Sequence, residues 1–306
     1  MKFLVTGGSG FIGSALVDLL LQKGHEVVDY SSRTYAFNDG LPFANINSYR
    51  LEQGDITDGP HLMHLLTTES FDVIFHLAAE THVDRSFVYP ATFLHTNIMG
   101  AFMLMECIRH LEKRPKTIAV STDEVFGSID HLAKEYDFRW PENPYAASKA
   151  SAEMYYHAYY KSYGVPVITA RSMNNFGPRQ HPEKLIAKII TSILHKKPYS
   201  LYEGNSRRGW IYSYDTADAL FRLSQDDVQG EIYHIPPSEY KSVEEVNDTI
   251  MSILGKDYFS GYKGRRLKDD ESYALDGSLM TDTLGWHPTT SFEDGVQRTV
   301  QWYADQ

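Results

Sequence analysis

KFLVTGGSGFIGSAL, residues 2–16, joins a short apolar run to an amphipathic pattern through a glycine-rich turn. In a strand–turn–helix unit, spaced glycines allow the tight turn, bring the backbone close to a pyrophosphate and let the helix pack on the strand. Free N–H groups and the helix dipole favour an anion at the same point. Because a strand precedes the turn and a helix follows it, the stretch predicts a dinucleotide site. The residues that we expect to form it are Gly7, Gly10, Phe11, Ile12 and Gly13.

Apolar runs alternate with helical patterns through the first half of the chain. The runs are rich in Val, Ile and Phe, and have the near-continuous apolar character of strands that are covered on both faces. They are KFLVT, HEVVDY, FDVIFHLA, KTIAVS and VPVITAR, with helices expected at 11–23, 58–69, 88–112 and 145–163. This alternation predicts an α/β fold with a doubly wound parallel Rossmann sheet and right-handed crossovers.

The alternation becomes less regular in the second half of the chain. Helical patterns at 183–195, 242–253 and 291–304 mix with short strands and with Gly, Asn and Pro turns. We expect a smaller C-terminal α/β lobe over the carboxyl edge of the sheet, where doubly wound folds bind ligands. The predicted domains are 1–172, for the dinucleotide, and 173–306, mainly for a second ligand, with some elements returning to the first domain.

Composition and charge narrow the classes of function. The chain has 306 residues, a hydrophobic share of 42% and a formal net charge of −11, which fits a globular fold and argues against a nucleic-acid partner. Cys107 is the only cysteine, so disulfides within the chain and cysteine-based zinc sites are excluded, and we expect no metal. No run of about 18 apolar residues occurs, so we expect neither a signal peptide nor a membrane span. These features predict a cytoplasmic protein.

The end of the second strand bears on which dinucleotide binds. An acidic residue about 20 residues after the glycine turn would hold the ribose 2′-hydroxyl of NAD. Asp29 comes early, and the strand ends in Ser31, Ser32 and Arg33, whose two hydroxyls and guanidinium suit a 2′-phosphate. NADP is therefore favoured, with NAD held through Asp29 as the alternative. Further along the chain we expect cofactor contacts from Asp55, Ile56, Leu77, Ala78 and Ala79.

Tyr145 and Lys149 place a phenol and an ammonium at i and i+4 on one face of a helix that is predicted to start just after Pro144. A nearby ammonium lowers the pKa of a phenol, which then serves as a base near neutral pH. Oxidation of an alcohol needs such a base, because the hydroxyl proton leaves as hydride goes to a nicotinamide. The pair therefore predicts hydride transfer, with both residues beside the cofactor.

Several motifs resemble those of one group of enzymes. They are GGSGFIGSAL, HLAAETHVDRSF, TNIMGAF, STDEVFG, PYAASKASAE, NNFGPRQHPEKLI, RRGWIYSYD and LGWHP, and they cover nearly the whole chain. With them the chain resembles the extended short-chain dehydrogenase/reductase superfamily and, within it, the nucleotide-diphosphate-glucose 4,6-dehydratases, most closely those of dTDP-glucose. HVDRS and STDEVFG carry the most specific likeness, since all relatives share the glycine turn and the Tyr–Lys pair.

The resemblance assigns a task to the adjacent Thr122, Asp123 and Glu124, which follow a predicted strand. Oxidation at C4 of a hexose acidifies the C5 proton, so Glu124 would remove that proton while protonated Asp123 gives its own to the departing C6 hydroxyl. Neighbouring carboxyls separate their pKa values, which lets one act as acid and the other as base. Thr122 would hydrogen-bond the C4 oxygen. The alternative is a nucleotide-sugar 4-epimerase, which needs no such pair, or another epimerase or dehydratase of the superfamily.

The resemblance also implies contacts with a nucleotide sugar. Arg208 matches the family's diphosphate-binding arginine, whose guanidinium suits two phosphates, and Asn174 matches a substrate-side asparagine. Lys184 and Leu185 lie where the family wraps the nucleotide base. His82 is expected at the sugar end, where a purely structural role is an equal alternative.

The chain departs from the family pattern in three places. Ser31 occupies the family's aspartate position at the end of the second strand. The family's Arg-Pro-Gly-His-Asp stretch near the C-terminus stands here as RLKDD, residues 266–270, with Glu271 and Ser272 in place of basic residues, and the stretch 128–143 is shorter than in typical members. These differences leave the nucleotide base and the final sugar unassigned.

Two predicted helices, 88–112 and 145–163, resemble the pair that builds a four-helix bundle in dimers of the family. Apolar residues recur along them at helical spacing, which fits either such an interface or the core. They are Met99, Phe102, Met103, Tyr155 and Tyr159. We expect a homodimer.

Overall fold

The structure, a computed structural model, describes residues 1–203, 207–256, 258–264 and 274–306, so the segment 266–272 that departs from the family pattern lies outside the described residues. The strands, numbered along the chain, are β1 Lys2–Thr6, β2 Glu26–Ser31, β3 Tyr49–Gln53, β4 Val73–His76, β5 Lys116–Thr122, β6 Leu132–Ala133, β7 Val167–Ser172, β8 Asn174–Phe176, β9 Tyr199–Leu201, β10 Arg208–Tyr212, β11 Ile232–Ile235, β12 Glu239–Lys241, β13 Phe259–Tyr262 and β14 Ala274–Leu275. The α-helices are α1 Phe11–Gln22, α2 Gly59–Thr68, α3 Val83–Val88, α4 Pro90–Phe93, α5 Gly100–Arg109, α6 Pro144–Tyr163, α7 Leu185–Leu194, α8 Ser213–Gln225, α9 Val243–Leu254, α10 Ser278–Leu284 and α11 Phe292–Ala304.

The central sheet has seven parallel strands in the order β11-β7-β5-β4-β1-β2-β3. Strands β1, β4, β5 and β7 are almost wholly buried, which explains their near-continuous apolar sequence. From β1 the chain adds β2 and β3 on one side, and then crosses to add β4, β5, β7 and β11 on the other. A crevice opens beyond the carboxyl ends of the strands at such a reversal. The predicted doubly wound α/β fold is confirmed.

Helices cover both faces of this sheet. On one face α1 and α8 pack together, and Leu16 and Leu223 belong to one buried cluster. On the other face α2, α5 and α6 contribute Leu62, Leu104 and Tyr156 to a second cluster. The central strands therefore have a packed apolar core on each face, and their carboxyl ends project beyond it.

The helix predicted at 88–112 is instead a series of shorter segments. Pro90, which has no N–H to donate, begins α4 after α3 has ended, and a π-helical turn over Leu94–Met99 leads into α5. The stretch Pro90–Arg109 has 20 residues and a mean hydropathy of 1.2. By length and composition alone it could cross a membrane. Its α5 part contributes to the buried cluster under the sheet, and core helices pass the same test.

A second, smaller group of elements follows β7. It holds a three-stranded sheet in the order β12-β10-β8 and the strand pair β13-β9. Phe176, Trp210 and Phe292 form its core with apolar residues of α7, α9 and α11. β11, from the same half of the chain, returns to the central sheet beside β7. The smaller α/β lobe is thus present, and a domain boundary between residues 172 and 173 stays a prediction.

Candidate active site

A cleft of about 360 Å³ lies between the carboxyl ends of the central strands and the smaller lobe. This volume is within the range of about 300–1,000 Å³ that is typical of small-ligand sites. It is lined by most of the residues predicted from the sequence, namely Gly7, Gly10, Phe11, Ile12, Gly13, Leu77, Ala79, His82, Thr122, Asp123, Glu124, Tyr145, Lys149, Asn174, Lys184, Leu185 and Arg208. The predicted residues outside its lining are Ser31, Ser32, Arg33, Asp55, Ile56 and Ala78.

The glycine turn lies so close to the neighbouring backbone that side chains are excluded. Gly7 has a left-handed conformation, with a φ of 75°, and a Cβ there would lie 2.8 Å from the Ala78 nitrogen. A Cβ on Gly13 would overlap the Gly7 carbonyl oxygen. The backbone therefore forms a cradle at the start of α1, where a pyrophosphate is stabilised by N–H groups and the helix dipole. Ala78 lies behind this turn, which explains why it does not line the cleft.

The end of β2 differs from the predicted 2′-phosphate site. The Ser31 hydroxyl donates a hydrogen bond of 2.5 Å to Asp29, and Ser31 is only 4% exposed. Arg33 lies in solvent, where its guanidinium pairs with Asp39 at 3.2 Å. The preference for NADP, which rested on Ser31, Ser32 and Arg33, therefore finds no support in the structure.

Asp55 and Ile56 are engaged in local structure. The Asp55 carboxylate accepts hydrogen bonds from the backbone N–H and the hydroxyl of Thr57, at 2.9 and 2.7 Å. Ile56 is buried, and its side chain lies against Gly100 at the start of α5. A contact of either residue with a cofactor stays a prediction.

The acidic triplet lies where β5 ends. Thr122 is the last residue of the strand, and Asp123 and Glu124 begin a 3₁₀ turn. The Thr122 hydroxyl donates to Asp123 Oδ1 at 2.9 Å, whereas Asp123 Oδ2 is buried and has no hydrogen-bond partner among the residues that the structure describes. Asn143 Nδ2 donates to Glu124 at 3.0 Å. The two adjacent carboxyls therefore have different surroundings.

These surroundings raise the pKa of Asp123 to about 8, first because the carboxyl is buried and second because the Glu124 carboxylate is beside it. Asp123 therefore keeps its proton at neutral pH. A carboxyl that keeps its proton and lines a cleft is suited to protonate a leaving group. Glu124, with an amide donor on its carboxylate, is suited to the opposite task of accepting a proton.

Helix α6 carries Tyr145 and Lys149 into the same cleft, one helical turn apart. Asn143 caps the helix through its Oδ1, and so fixes the turn that holds the phenol. Lys149 Nζ donates to the Val120 carbonyl at 2.7 Å, which ties the ammonium to the strand that leads into the triplet. Two elements that are distant in sequence thereby place a phenol, an ammonium and two carboxyls around one space.

The pKa of the Tyr145 phenol is raised, which corrects the expectation that its lysine neighbour would lower it. Burial is the main cause and Glu124 adds to the rise, while a hydrogen bond with Thr122 opposes it. Burial also lowers the pKa of Lys149, to about 8. The expectation considered the Tyr–Lys pair alone, whereas the folded protein places the acidic pair in the same cleft.

The predicted substrate residues form part of the wall of the same cleft. Arg208 begins β10, and its positive charge works against the rise in the pKa of Asp123. Asn174 begins β8, which pairs with β10. Lys184 Nζ donates to the Thr81 carbonyl at 2.8 Å, which ties the smaller lobe to the loop after β4. The remaining members of this wall are His82, which caps α3, and Leu185, which begins α7.

The sequence prediction missed three side chains in or behind the site. Asn143 bonds Glu124 and caps α6, and an asparagine directly before a proline at a helix start is a pattern that indicates such a cap. Glu153, one turn after Lys149, is buried and accepts two hydrogen bonds from the fully buried Arg171. No local pattern marks Arg171, because its burial depends on the packing of β7 between β5 and β11.

Comparison with known proteins places the chain among sugar-nucleotide enzymes. The protein family described as GDP-mannose 4,6 dehydratase matches residues 4–299. The chain belongs to this family. dTDP-glucose 4,6-dehydratase 1 of Escherichia coli K12 is 36% identical over 334 residues, which cover 99% of the chain and 92% of that relative. The predicted membership of the 4,6-dehydratase family is confirmed.

Solved structures also show that the chain is similar to dTDP-glucose 4,6-dehydratases. A dTDP-glucose 4,6-dehydratase of Streptomyces venezuelae, solved with NAD bound, has a TM-score of 0.94 at 37% identity and covers 100% of the chain and 97% of its own. A UDP-glucose 4-epimerase of Thermotoga maritima, with a TM-score of 0.92 and 27% identity, covers 100% and 99%. Epimerases therefore share the fold with this family of dehydratases but are more distant in sequence.

Proposed function

We propose that the protein is a nucleotide-hexose 4,6-dehydratase that converts dTDP-glucose to dTDP-4-keto-6-deoxyglucose and water, a carbon–oxygen lyase that uses NAD. One observation carries the proposal: Asp123, a buried carboxyl that keeps its proton at neutral pH, lines one cleft with Glu124, Tyr145 and Lys149. A 4-epimerase moves hydride at C4 alone and needs no acid for a leaving hydroxyl. The names of the relatives support dTDP-glucose, and the NAD in the Streptomyces structure supports NAD.

The residues of the cleft fit a dinucleotide. The glycine turn has no room for side chains at Gly7 and Gly13, and it opens α1 beside the cleft. NAD, when bound, supplies the hydride acceptor for oxidation at C4 and the hydride that later returns to C6. Tyr145 takes the proton of the C4 hydroxyl when the positive charges of Lys149 and of the bound nicotinamide ring offset the rise in its pKa that burial and Glu124 cause. Thr122 hydrogen-bonds the C4 oxygen from the end of β5.

Elimination of water follows from the C4 ketone, which acidifies the hydrogen on C5. Glu124 accepts the C5 proton, and the C6–oxygen bond breaks as Asp123 gives its proton to the departing hydroxyl, which leaves as water. A double bond between C5 and C6 results. Hydride then adds to C6 and a proton to C5, so the sequence is redox-neutral overall. The two carboxyls must hold opposite protonation states for this step, which the raised pKa of Asp123 supports.

We also infer a homodimer. Outside the buried clusters, the face of the α5–α6 region carries exposed apolar side chains, which such a helix pair buries in a bundle. They include Leu94 at 56%, Met99 at 37%, Met154 at 52% and Tyr155 at 39% exposure. Light scattering on the purified protein should give twice the mass of one chain, and Met154→Glu should shift it to the mass of one chain. A single-chain mass for the unsubstituted protein would contradict the dimer.

The experiment that tests the activity is incubation of the purified protein and NAD with a panel of dTDP-, UDP-, GDP- and CDP-glucose, followed by mass analysis. We expect dTDP-glucose to lose one water and the other three to react more slowly. A product of unchanged mass, with its C4 configuration inverted, would show an epimerase and overturn the proposal. Equal loss of water from all four substrates would contradict the assignment of the base.

A further inference from the structure

The side chain of Asn143 makes two hydrogen bonds that use opposite ends of its amide. Its Oδ1 accepts the backbone N–H of Ala146 at 2.8 Å, which caps α6, and its Nδ2 donates to Glu124 Oε2 at 3.0 Å. A helix start needs acceptors, because its first N–H groups have no partner within the helix. The cap therefore takes the oxygen of the amide, and the end that faces Glu124 is the donor.

The backbone that carries Asn143 is packed against both the 3₁₀ turn after β5 and α6. Gly127, with a φ of 65°, ends that turn, and a Cβ there would lie 2.3 Å from the Trp140 carbonyl oxygen. Arg139 Nε donates to Glu153 Oε2, on α6, at 2.8 Å. Asn143 itself is only 8% exposed. These contacts join the short stretch before α6 to both elements, so packing sets the distance between the amide and the turn.

Asp123 and Glu124 are adjacent carboxyls, and the donors around each one help to decide which of them holds a shared proton. Burial, and then the charge of Glu124, raise the pKa of Asp123 and that of Tyr145, on α6. Positive charge reaches the same cleft from Arg208, on β10, and from Lys149, on α6. An amide donor on Glu124 favours its ionised form and so leaves the proton with Asp123. The donor therefore helps to separate the acid from the base.

We propose that Asn143 is a positioning residue whose amide, oriented by the α6 cap, fixes Glu124 as the base of the elimination step. The inference rests on the proposed function, since it concerns removal of the C5 proton. The two hydrogen bonds of Asn143 then have separate consequences. The bond to Ala146 stabilises the helix start, and the bond to Glu124 governs how readily that carboxylate accepts a proton. A substitution that keeps the first bond and changes the second should slow elimination without unfolding the helix.

Asn143→Asp is such a substitution, because a carboxylate also caps a helix and an oxygen replaces the amide nitrogen. Two carboxyls then face each other and share a proton, so Glu124 is less often ionised. In a single turnover of dTDP-glucose by the NAD-loaded protein, absorbance reports formation and decay of the reduced nicotinamide. The decay should slow about 10–100-fold at pH 6, while formation changes less than about threefold. The deficit in decay should shrink towards pH 8, because the pair then loses its shared proton.

Two further variants separate the donor from other effects. Asn143→Ser keeps a cap but has no amide, so it should slow the decay about tenfold at pH 6 and at pH 8. Ser291→Asp adds a carboxylate at the cap of α11, outside the lining of the cleft, and should leave both steps unchanged. Thermal melts by circular dichroism establish that each variant is folded.

Three results would overturn the inference. Decay at the wild-type rate in both Asn143 variants would show that Glu124 does not depend on the amide. Equal slowing of formation and decay would show a general disturbance of the site. A deficit in Asn143→Asp that is the same at pH 6 and pH 8 would separate the loss from the protonation of Glu124. Failure of the wild type to reduce NAD or to release water would overturn the proposed function instead.

Discussion

Asp29 and Asp123 are both buried aspartates near the carboxyl ends of parallel strands, and their partners differ. Asp29 receives hydrogen bonds from three hydroxyls, those of Ser9, Ser31 and Tyr49. Asp123 receives one, and its Oδ2 has no partner within the described parts of the chain. Burial raises the pKa of both, and a neighbouring carboxylate raises that of Asp123 further. A buried carboxyl with all its bonds made organises structure, whereas one with a bond unmade beside a cleft is available for proton transfer.

The largest expected effect is on turnover. Asp123→Asn should lower the rate of dehydration by about 10²–10⁴-fold, because an amide cannot donate the proton that the C6 hydroxyl needs. The rate is measured as formation of the product that has lost one water. Tyr49→Phe, which alters only the surroundings of Asp29, is the control and should keep the wild-type rate. Equal losses in the two variants would remove the distinction between the two aspartates.

The second-largest expected effect is on the way in which the stability of the folded protein depends on pH. Asp123 has a folded pKa of about 8, above its ordinary value of 3.8. Between about pH 4 and pH 8 the unfolded chain therefore releases a proton that the folded chain keeps, so the free energy of unfolding falls as pH rises. Urea unfolding at pH 5 and pH 8 should show a smaller fall for Asp123→Asn than for the wild type. The same fall in both would contradict the raised pKa.

The cost in folding free energy of the same substitution should differ between the two sites. Asp29→Asn should lower the free energy of unfolding by about 2 kcal/mol, because an amide cannot accept from three hydroxyls at once. Asp123→Asn should cost less than about 0.5 kcal/mol, since a neutral amide replaces a carboxyl that is already protonated at pH 7. Urea unfolding at pH 7 measures both. A loss of stability for Asp123→Asn as large as that for Asp29→Asn would contradict the account. It would show that the missing hydrogen bond at Asp123 Oδ2 does not distinguish the two aspartates.

The smallest expected effect concerns one of the three donors to Asp29. Tyr49→Phe should lower the free energy of unfolding by about 1 kcal/mol, since Ser9 and Ser31 still bond the carboxylate. Urea unfolding measures this beside Asp29→Asn. A loss equal to that of Asp29→Asn would place the whole contribution of the carboxylate in its bond to Tyr49.

The comparison of Asp29 with Asp123 also shows which features of the fold and of the site can be predicted from the sequence. The glycine turn, the strand alternation and the motif containing Asp123 are local patterns, and the folded chain brings them to one cleft. The setting of Asp29 is not local, because Tyr49 comes from β3 and the pairing register of two strands decides which side chains meet. Helix α8 was missed although Leu220 and Leu223 recur at helical spacing within it, since short apolar patterns are ambiguous without their packing partner. Local sequence patterns therefore predict the residues of the acidic triplet and the Tyr–Lys pair. The surroundings of Asp29 depend on how β2 pairs with β3, which local patterns do not show.

The most direct test of the central claim is a single turnover of Asp123→Asn, with dTDP-glucose added to the NAD-loaded protein. Absorbance of the reduced nicotinamide reports oxidation at C4, and mass analysis of the quenched sugar reports loss of water. If Asp123 is the acid of the elimination step, the reduced cofactor accumulates while almost no water is lost. Loss of water at the wild-type rate, with no accumulation of reduced cofactor, would contradict that role.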